Sequence, residues 1–455
     1  MCKLAIRSDN QSTAEFLKEV VVIGAPVVVQ SVLGSLVNML DVMMIGQLGE
    51  ISITAAAVSN QWFTLFALLA NALCAAGSMF ISQHWGKREL DSIHRYIGIL
   101  FYGVVLLGLL FGISSLTIPE VILKLYSRDP LVLVQASEYL RILGISFIID
   151  SVSIVFITGL RSIGDTRIPM VASAASVITN GILNYILIFG TPISPAMGIR
   201  GAAVATVIAR VVEFLIVVGY ILKRRPPVYC KLREYLSVPA GLWKKYFKVG
   251  FWVIIAEVLI AFGSTMYSMA YKYTGTEGQA ALQIINTYQN LALIMCGGFG
   301  TAAAVMIGIR LGKNEFEEAK RCCRRLMLVG IVVSLCITLV VVLISPLLMG
   351  VFRVGETVNG YLKIMIIIMA FAVPLKFMNY LCIVGVLRSG GDSTFCFMAN
   401  MVGVWVVGLP LVWLCAVYYK LPIYVVYLMA NMEDVGKFLI AFPRVIRNKW
   451  VKNLT

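Results

Sequence analysis

One carboxylate, Asp41, interrupts the apolar run NMLDVMMIGQLG that begins at Asn38, and the preceding VVVIGAPVVVQSVLGSLV carries no charge at all. An acid with no cation nearby in sequence is costly wherever water is excluded, so it is read as a group that takes up a proton or a cation. Three more polar side chains belong with it. Asn180 and Asn184 in NGILNYILIFG are four apart and share one helix face, and Thr206 sits in GIRGAAVATVIAR. Counted along helices that rise ~1.5 Å per residue, Asn180 and Asn184 lie roughly 20–26 Å above Arg167 and Thr206 ~9 Å below Arg200. Asp41 falls in the same outer half of its span, and Asn38 stands one turn before it. A carboxylate, two amides and a hydroxyl are hard oxygen donors that suit Na⁺, with Asp41, Asn180 and Asn184 as the metal ligands; the carboxylate could instead take H⁺. The competing reading makes the asparagines polar glue between packed helices.

A second group of charges lies in the other half of the chain. Glu257 stands nine residues past Lys248, a climb of ~13 Å, and Lys376, Glu433, Asp434 and Lys437 fall at comparable depth. Glu433 and Lys437 have the favourable i,i+4 order. An ion pair between Glu257 and Lys376 is expected, acting in substrate binding or coupling, although Glu433 or Asp434 could claim Lys376 instead. Arg161 and Arg388, in LRSIGD and LRSGGD, are expected to tie helix ends to nearby acids or carbonyls.

The elements that must position these residues are apolar and long. Of the 455 residues 60% are hydrophobic and only 13% charged, and mean hydropathy is +0.89, far from a soluble domain with about one-quarter charged residues. Runs such as IGILFYGVVLLGLLFGISSLTI (97–118) and LMLVGIVVSLCITLVVVLISPLLM (326–349) are long enough to cross a bilayer core of ~30 Å. Twelve helical spans are expected, near 20–46, 53–82, 95–118, 132–158, 169–190, 201–222, 249–271, 279–309, 326–350, 363–386, 396–418 and 422–443. Most of the 38 Lys and Arg then fall on one side, which places both termini in the cytoplasm and explains the net charge of +15 without nucleic acid. No cleavable signal is visible, so the first span is read as the anchor. The ten cysteines form no CxxC pair and are read as reduced and structural, and His84 and His94 come without any HExxH, Walker or GxSxG pattern. Neither an enzyme nor ATP-driven transport finds support.

The chain also repeats itself. HWGKRELDSIHR (84–95) and RLGKNEFEEAKR (310–321) align at an offset of 226, as do Gly24 with Gly250, Gly49 with Gly275 and Asn60 with Asn286. LRSIGD (160–165) and LRSGGD (387–392) align at 227. The expected architecture is an all-α polytopic membrane protein, two six-helix lobes from an internal duplication: residues 1–222, a basic linker 223–248, and 249–455 with a short basic tail. Six spans per copy give parallel repeats, the arrangement of transporters that rock two bundles about a cavity.

In that order, DVMMIGQLG, GLRSIGDTRIPM, NGILNYILIFG, GIRGAAVATVIAR and VLRSGGDS resemble the multidrug and toxic compound extrusion (MATE) family of bacterial type, over essentially the whole chain. The resemblance implies a secondary antiporter that exports organic, cationic or aromatic compounds in exchange for Na⁺ or H⁺. It implies no cofactor beyond the coupling ion, small-molecule and lipid partners, a monomer, and a place in the cell (inner) membrane. It carries the family's coupling-ion site onto Asp41, Asn180, Asn184 and Thr206. The second lobe departs from the first: Tyr267 stands where Asp41 is repeated, Val407 and Leu411 where the asparagines are, and Phe377 where some relatives pair an Asp with the acid at Glu257. The alternative is a flippase for lipid-linked oligosaccharide or another lipid precursor.

Overall fold

A computed structural model describes residues 12–191, 195–231, 234, 235, 237–351 and 355–455. Lys3 and Arg7 of the expected cytoplasmic start, and Leu232, Arg233 and Leu236 of the linker, lie outside them. Twelve long helices account for nearly all of the described chain. They are α1 Thr13–Gly46, α2 Glu50–Lys87, α3 Leu90–Thr117, α4 Pro130–Ser162, α5 Arg167–Phe189 and α6 Ile199–Arg224, then α7 Ala240–Tyr271, α8 Gly275–Gly312 and α9 Phe316–Val351. The last three are α10, which is Glu356–Tyr380 prolonged by a π-helical Leu381–Leu387, α11 Ser393–Tyr418, with two π segments of its own, and α12 Ile423–Ile446. A single-turn helix, Pro119–Leu123, follows α3. Among the described residues ten helical stretches could, by length and composition, cross a membrane, one of them, Ala240–Gly312, holding both α7 and α8. Outward faces are apolar: Leu328, Leu335, Leu339 and Leu343 on α9, and Ile364, Ile367 and Phe371 on α10, are exposed. In water such stripes would be unfavourable; against lipid tails they are the expected exterior.

Helix ends follow local chemistry. Asp129 caps α4, its carboxylate accepting from the Leu131 amide at 2.9 Å, with Pro130 in the first helical position where no amide hydrogen is needed. The breaks recur in both halves. Gly49, just before α2, and Gly275, the first residue of α8, take positive φ, Arg88 and Asn314 do so after these helices, and Gly164 and Gly391 do so within LRSIGD and LRSGGD. The duplication is therefore written in the backbone as well as in side chains. The offset grows from 226 at Arg95/Arg321 to 227 at Leu160/Leu387. The π-helical Leu381–Leu387 lies in that interval, whereas its counterpart in α4 is plain α-helix. A π turn absorbs one extra residue without breaking the helix, which accounts for the slip.

The chain divides into two compact units, one of residues 26–247 and one of 248–455 together with the start of α1 up to Ala25. Pro26, inside α1, marks the division. Residues 223–247 belong to the first unit and are docked on it. The Pro227 carbonyl is 3.0 Å from His94 Nε2, Val228 is fully buried, and the Tyr246 hydroxyl donates to the Leu73 carbonyl at 2.8 Å. In the second unit the Glu19 carboxylate lies 3.5 Å from the Arg310 guanidinium, both buried.

Candidate functional site

In the first unit the four polar residues singled out by spacing meet. Asn184 Nδ2 donates to Asp41 Oδ1 and, at 3.1 Å, to Asn180 Oδ1; Asn180 Nδ2 in turn donates to Thr206 Oγ1 at 3.3 Å. The chain ends on the Ala202 carbonyl, which accepts from Thr206 at 3.0 Å. Asn180 and Asn184 are buried, and Asn184 Oδ1 has no hydrogen-bond partner. Asp41, Asn38, Asn180 and Thr206 line a cavity of about 430 Å³, with Asn60 and Tyr139 among the other walls. An acid, amide oxygens and a hydroxyl thus converge, and one of those oxygens lacks the donor that burial normally demands.

Sequence reasoning missed the charges below them. On α6, Thr206, Arg210 and Glu213 fall at i, i+4 and i+7 on one face, and all three line the cavity. Arg210 is held between Asp150 of α4, at 3.5 Å, and Glu213, at 3.0 Å. Glu213 also accepts from Ser173 at 2.8 Å; Ser173 accepts from Gln30 at 2.7 Å, and the Gln30 carbonyl oxygen accepts from Arg161. Asp150 and Glu213 therefore share the guanidinium of Arg210, in a cavity wall that also carries Asp41. The signal was present, since three charges on the faces of two apolar spans are as costly as Asp41.

The second unit answers with the opposite charges. Lys376 of α10 lies 2.8 Å from Asp434 of α12, and Asn379 donates to Asp434 Oδ1 at 3.2 Å and to its backbone carbonyl at 2.7 Å. Lys437 pairs with Glu433 at 3.0 Å, the i,i+4 contact expected from spacing. Ahead of the π segment the 226 offset equates Asp150 with Lys376, and α6 and α12, aligned at their first residues Ile199 and Ile423, equate Arg210 with Asp434 and Glu213 with Lys437. Each member of the acid–base–acid triad is replaced by its opposite.

The expected Glu257–Lys376 ion pair does not form. Glu257 pairs with Arg388 at 2.7 Å, while Lys376 is taken by Asp434. Arg388 follows the π segment, which turns it toward α7, and it reaches an acceptor 131 residues back, as Arg161 does with Gln30. Both LRS arginines thus tether helices as expected. Phe377 is buried against Phe299, ring centroids 5.2 Å apart. Lys376 and Glu433, but not Glu257, line a second cavity of about 440 Å³, which Tyr267 enters where the first unit has Asp41 and Asn286 where it has Asn60.

Residues expected to be plain structural cysteines and loop histidines form one metal-compatible cluster among the described residues: His94, Cys230 and Glu234 bring ligand atoms within 4.8 Å of one another. His94 Nε2 faces the Pro227 carbonyl, leaving Nδ1 toward Glu234 at 3.7 Å. Burial pushes the Cys230 thiol up to about 12, and the His94 contact with the Pro227 carbonyl ties the linker to α3.

Long apolar helices in duplicated sets of six, each set enclosing a cavity with paired charges, define a multi-pass membrane transporter. The family model described as MatE matches residues 26–186 and again 253–414, and the chain belongs to that family. It is similar to a probable multidrug resistance protein, YoeA, of Bacillus subtilis (23% identical, over 88% of this chain and 86% of that one). It is also similar to a probable multidrug resistance protein, NorM, of Thermotoga maritima (23%, over 97% and 95%). Among solved structures, a MATE protein in complex with MaL6 superposes at a TM-score of 0.85 with 18% identity, covering 97% of this chain and 99% of that one. An outward-facing multidrug resistance MATE transporter of the MOP superfamily gives the same score, over 98% and 99%. These structures share the fold.

Proposed function

We propose that the chain is a secondary antiporter of the cell membrane that exports organic, cationic or aromatic compounds in exchange for Na⁺ or H⁺. The observation that carries this reading is the Asp41–Asn184–Asn180–Thr206 chain, in which Asp41, Asn180 and Thr206 line a cavity and Asn184 keeps a buried, unpartnered amide oxygen. A cation between Asp41 and the asparagines would be held by a formal negative charge and by amide oxygens once the Asn184 amide turns; the carboxylate serves equally as a proton carrier. Residues 1–222 and 249–455 act as the two moving lobes, with the docked segment 223–248 and both termini in the cytoplasm. Glu257 with Arg388 and Lys376 with Asp434 set the register of helices within the second lobe. No catalytic residue and no cofactor other than the coupling ion is required, and the working unit is a monomer. Against a flippase, Arg210, the one cation lining the first cavity among the described residues, is already held by Glu213 and Asp150, and Asp41 adds a further acid where an anionic lipid phosphate would need free cations.

Proteoliposomes loaded with a fluorescent cationic dye test this reading. An imposed inward Na⁺ or H⁺ gradient should drive dye efflux, and collapse of that gradient should stop it. Efflux indifferent to both gradients would overturn it.

A further inference from the structure

The two cavities differ in charge and in lining, and the difference specifies what each receives. In the first, Asp150 and Glu213 share the Arg210 guanidinium and Asp41 adds a further carboxylate to the lining, an excess of acid that favours a cation. In the second, Lys376 is matched by Asp434 and Lys437 by Glu433, whose remaining oxygen accepts from Tyr267 at 2.6 Å. A cation entering there would find no carboxylate free to pair with it, and an anion no free ammonium.

Ordinary ligand sites are mostly apolar with a few polar groups; here, among the described residues, the aliphatic side chains in the lining are Leu282 and Ala430. Gln279, Gln283, Asn286 and Gln289 recur at i, i+4, i+7 and i+10, an amide stripe along one face of α8. The amides of Gln283 and Asn286 have no partner among the described residues, and Gln289 uses only its oxygen, to accept from Tyr427 at 2.8 Å. Asn431, in the cavity wall and 6% exposed, donates to the Tyr427 carbonyl at 2.7 Å and leaves its own Oδ1 unpartnered. Lys376 has donors to spare beyond Asp434. Tyr267 and Tyr271 add a stacked pair of rings, centroids 6.3 Å apart.

Free donors and acceptors therefore both line an electrically balanced cavity with an aromatic wall. A hydroxyl is the neutral group that donates and accepts at once; a ring of hydroxyls satisfies such a lining, and its C–H face packs on tyrosine. We propose that this cavity is a binding site for an uncharged polyhydroxylated solute, a glycoside, independent of the cation site in the other unit. This goes beyond the antiporter reading and does not require it.

The probe is phenyl β-D-glucoside, measured by equilibrium binding to the full chain in lipid nanodiscs, because sugar-headed detergents would occupy the cavity. Saturable binding is expected, weakened at least tenfold by Gln283→Leu and by Asn431→Leu, with tetraphenylphosphonium failing to compete. Gln283 is exposed toward the cavity, so its variant leaves folding intact even if Asn431→Leu does not. Absence of saturable binding, or binding unmoved by Gln283→Leu, would overturn the proposal. So would displacement by tetraphenylphosphonium or by the zwitterion glycylglycine. Because no gradient is applied, this result stands apart from the dye-efflux test: either can fail while the other holds.

Discussion

Among the described residues Asp41 contributes the only formal negative charge hydrogen-bonded to the two asparagines. Asp41→Asn keeps size and hydrogen bonding but removes both the charge and the exchangeable proton. The variant is expected to fold, insert and lose gradient-driven efflux entirely; efflux at the wild-type rate from the purified, reconstituted variant would sink the assignment. These residues were legible because helical spacing and depth are one-dimensional quantities that a sequence carries. Partner choice was not legible, since Glu257 and Lys376 share a depth but face different helices, and rotation about a helix axis follows from packing. Lys376 and Asp434 are both largely buried, so removing one strands the other, a loss of about 3–5 kcal/mol that largely disappears when both are neutralised. Lys376→Met and Asp434→Asn are each expected to lower the unfolding temperature and the double variant to recover it. Adding Glu257→Gln to Lys376→Met should bring no such recovery. Recovery in that second pair, and not the first, would restore the pairing expected from depth alone.

At the scale of elements, the spans and their breaks were readable because apolar length and turn-forming glycines are local. The π turn in α10 left only a slip from 226 to 227 in the repeat, too small to interpret without coordinates. The linker was read as a basic tether, yet it is a docked element. Among its described basic residues Lys223, Arg224, Arg225, Lys231, Lys244 and Lys248 are exposed, while Val228, Cys230 and Tyr235 are buried, and burial raises the Tyr235 phenol above its usual range. Gly98 of α3 makes the docking close, since a Cβ there would run into the Tyr235 carbonyl. Backbone cannot yield as a side chain can, and overpacking of this kind costs about 1–3 kcal/mol. Gly98→Ala should loosen the linker, seen as faster proteolysis at 226–239 in inside-out vesicles, whereas Gly103→Ala, on the same helix with only an ordinary contact to Leu73, should not. Equal cleavage in both variants and wild type would show the linker free.

For the whole molecule, duplication supplies two copies of one scaffold, and the reversed triads show how the copies diverged. Asp150, Arg210 and Glu213 in one unit occupy the positions of Lys376, Asp434 and Lys437 in the other. Inverting every sign preserves pair attraction while changing the net charge offered to a ligand. The scaffold therefore accommodates either polarity of the triad. Carrying the second unit's charges into the first, as Asp150→Lys, Arg210→Asp and Glu213→Lys together, tests this. The triple variant keeps one central charge flanked by two of opposite sign, although it gives up the Arg210 contact with the Phe63 ring at 5.7 Å. Arg210→Asp alone leaves Asp150, Glu213, Asp41 and the new acid with no cation, and should be far less stable. The triple variant is thus expected to unfold at a higher temperature than the single one and to fail in gradient-driven efflux of a cationic dye, because lysines now face Asp41. A triple variant less stable than Arg210→Asp would mean that the triads are not interchangeable. Retention of coupled cation export by a stable triple variant would mean that the acidic surplus of the first unit does not select its ligand.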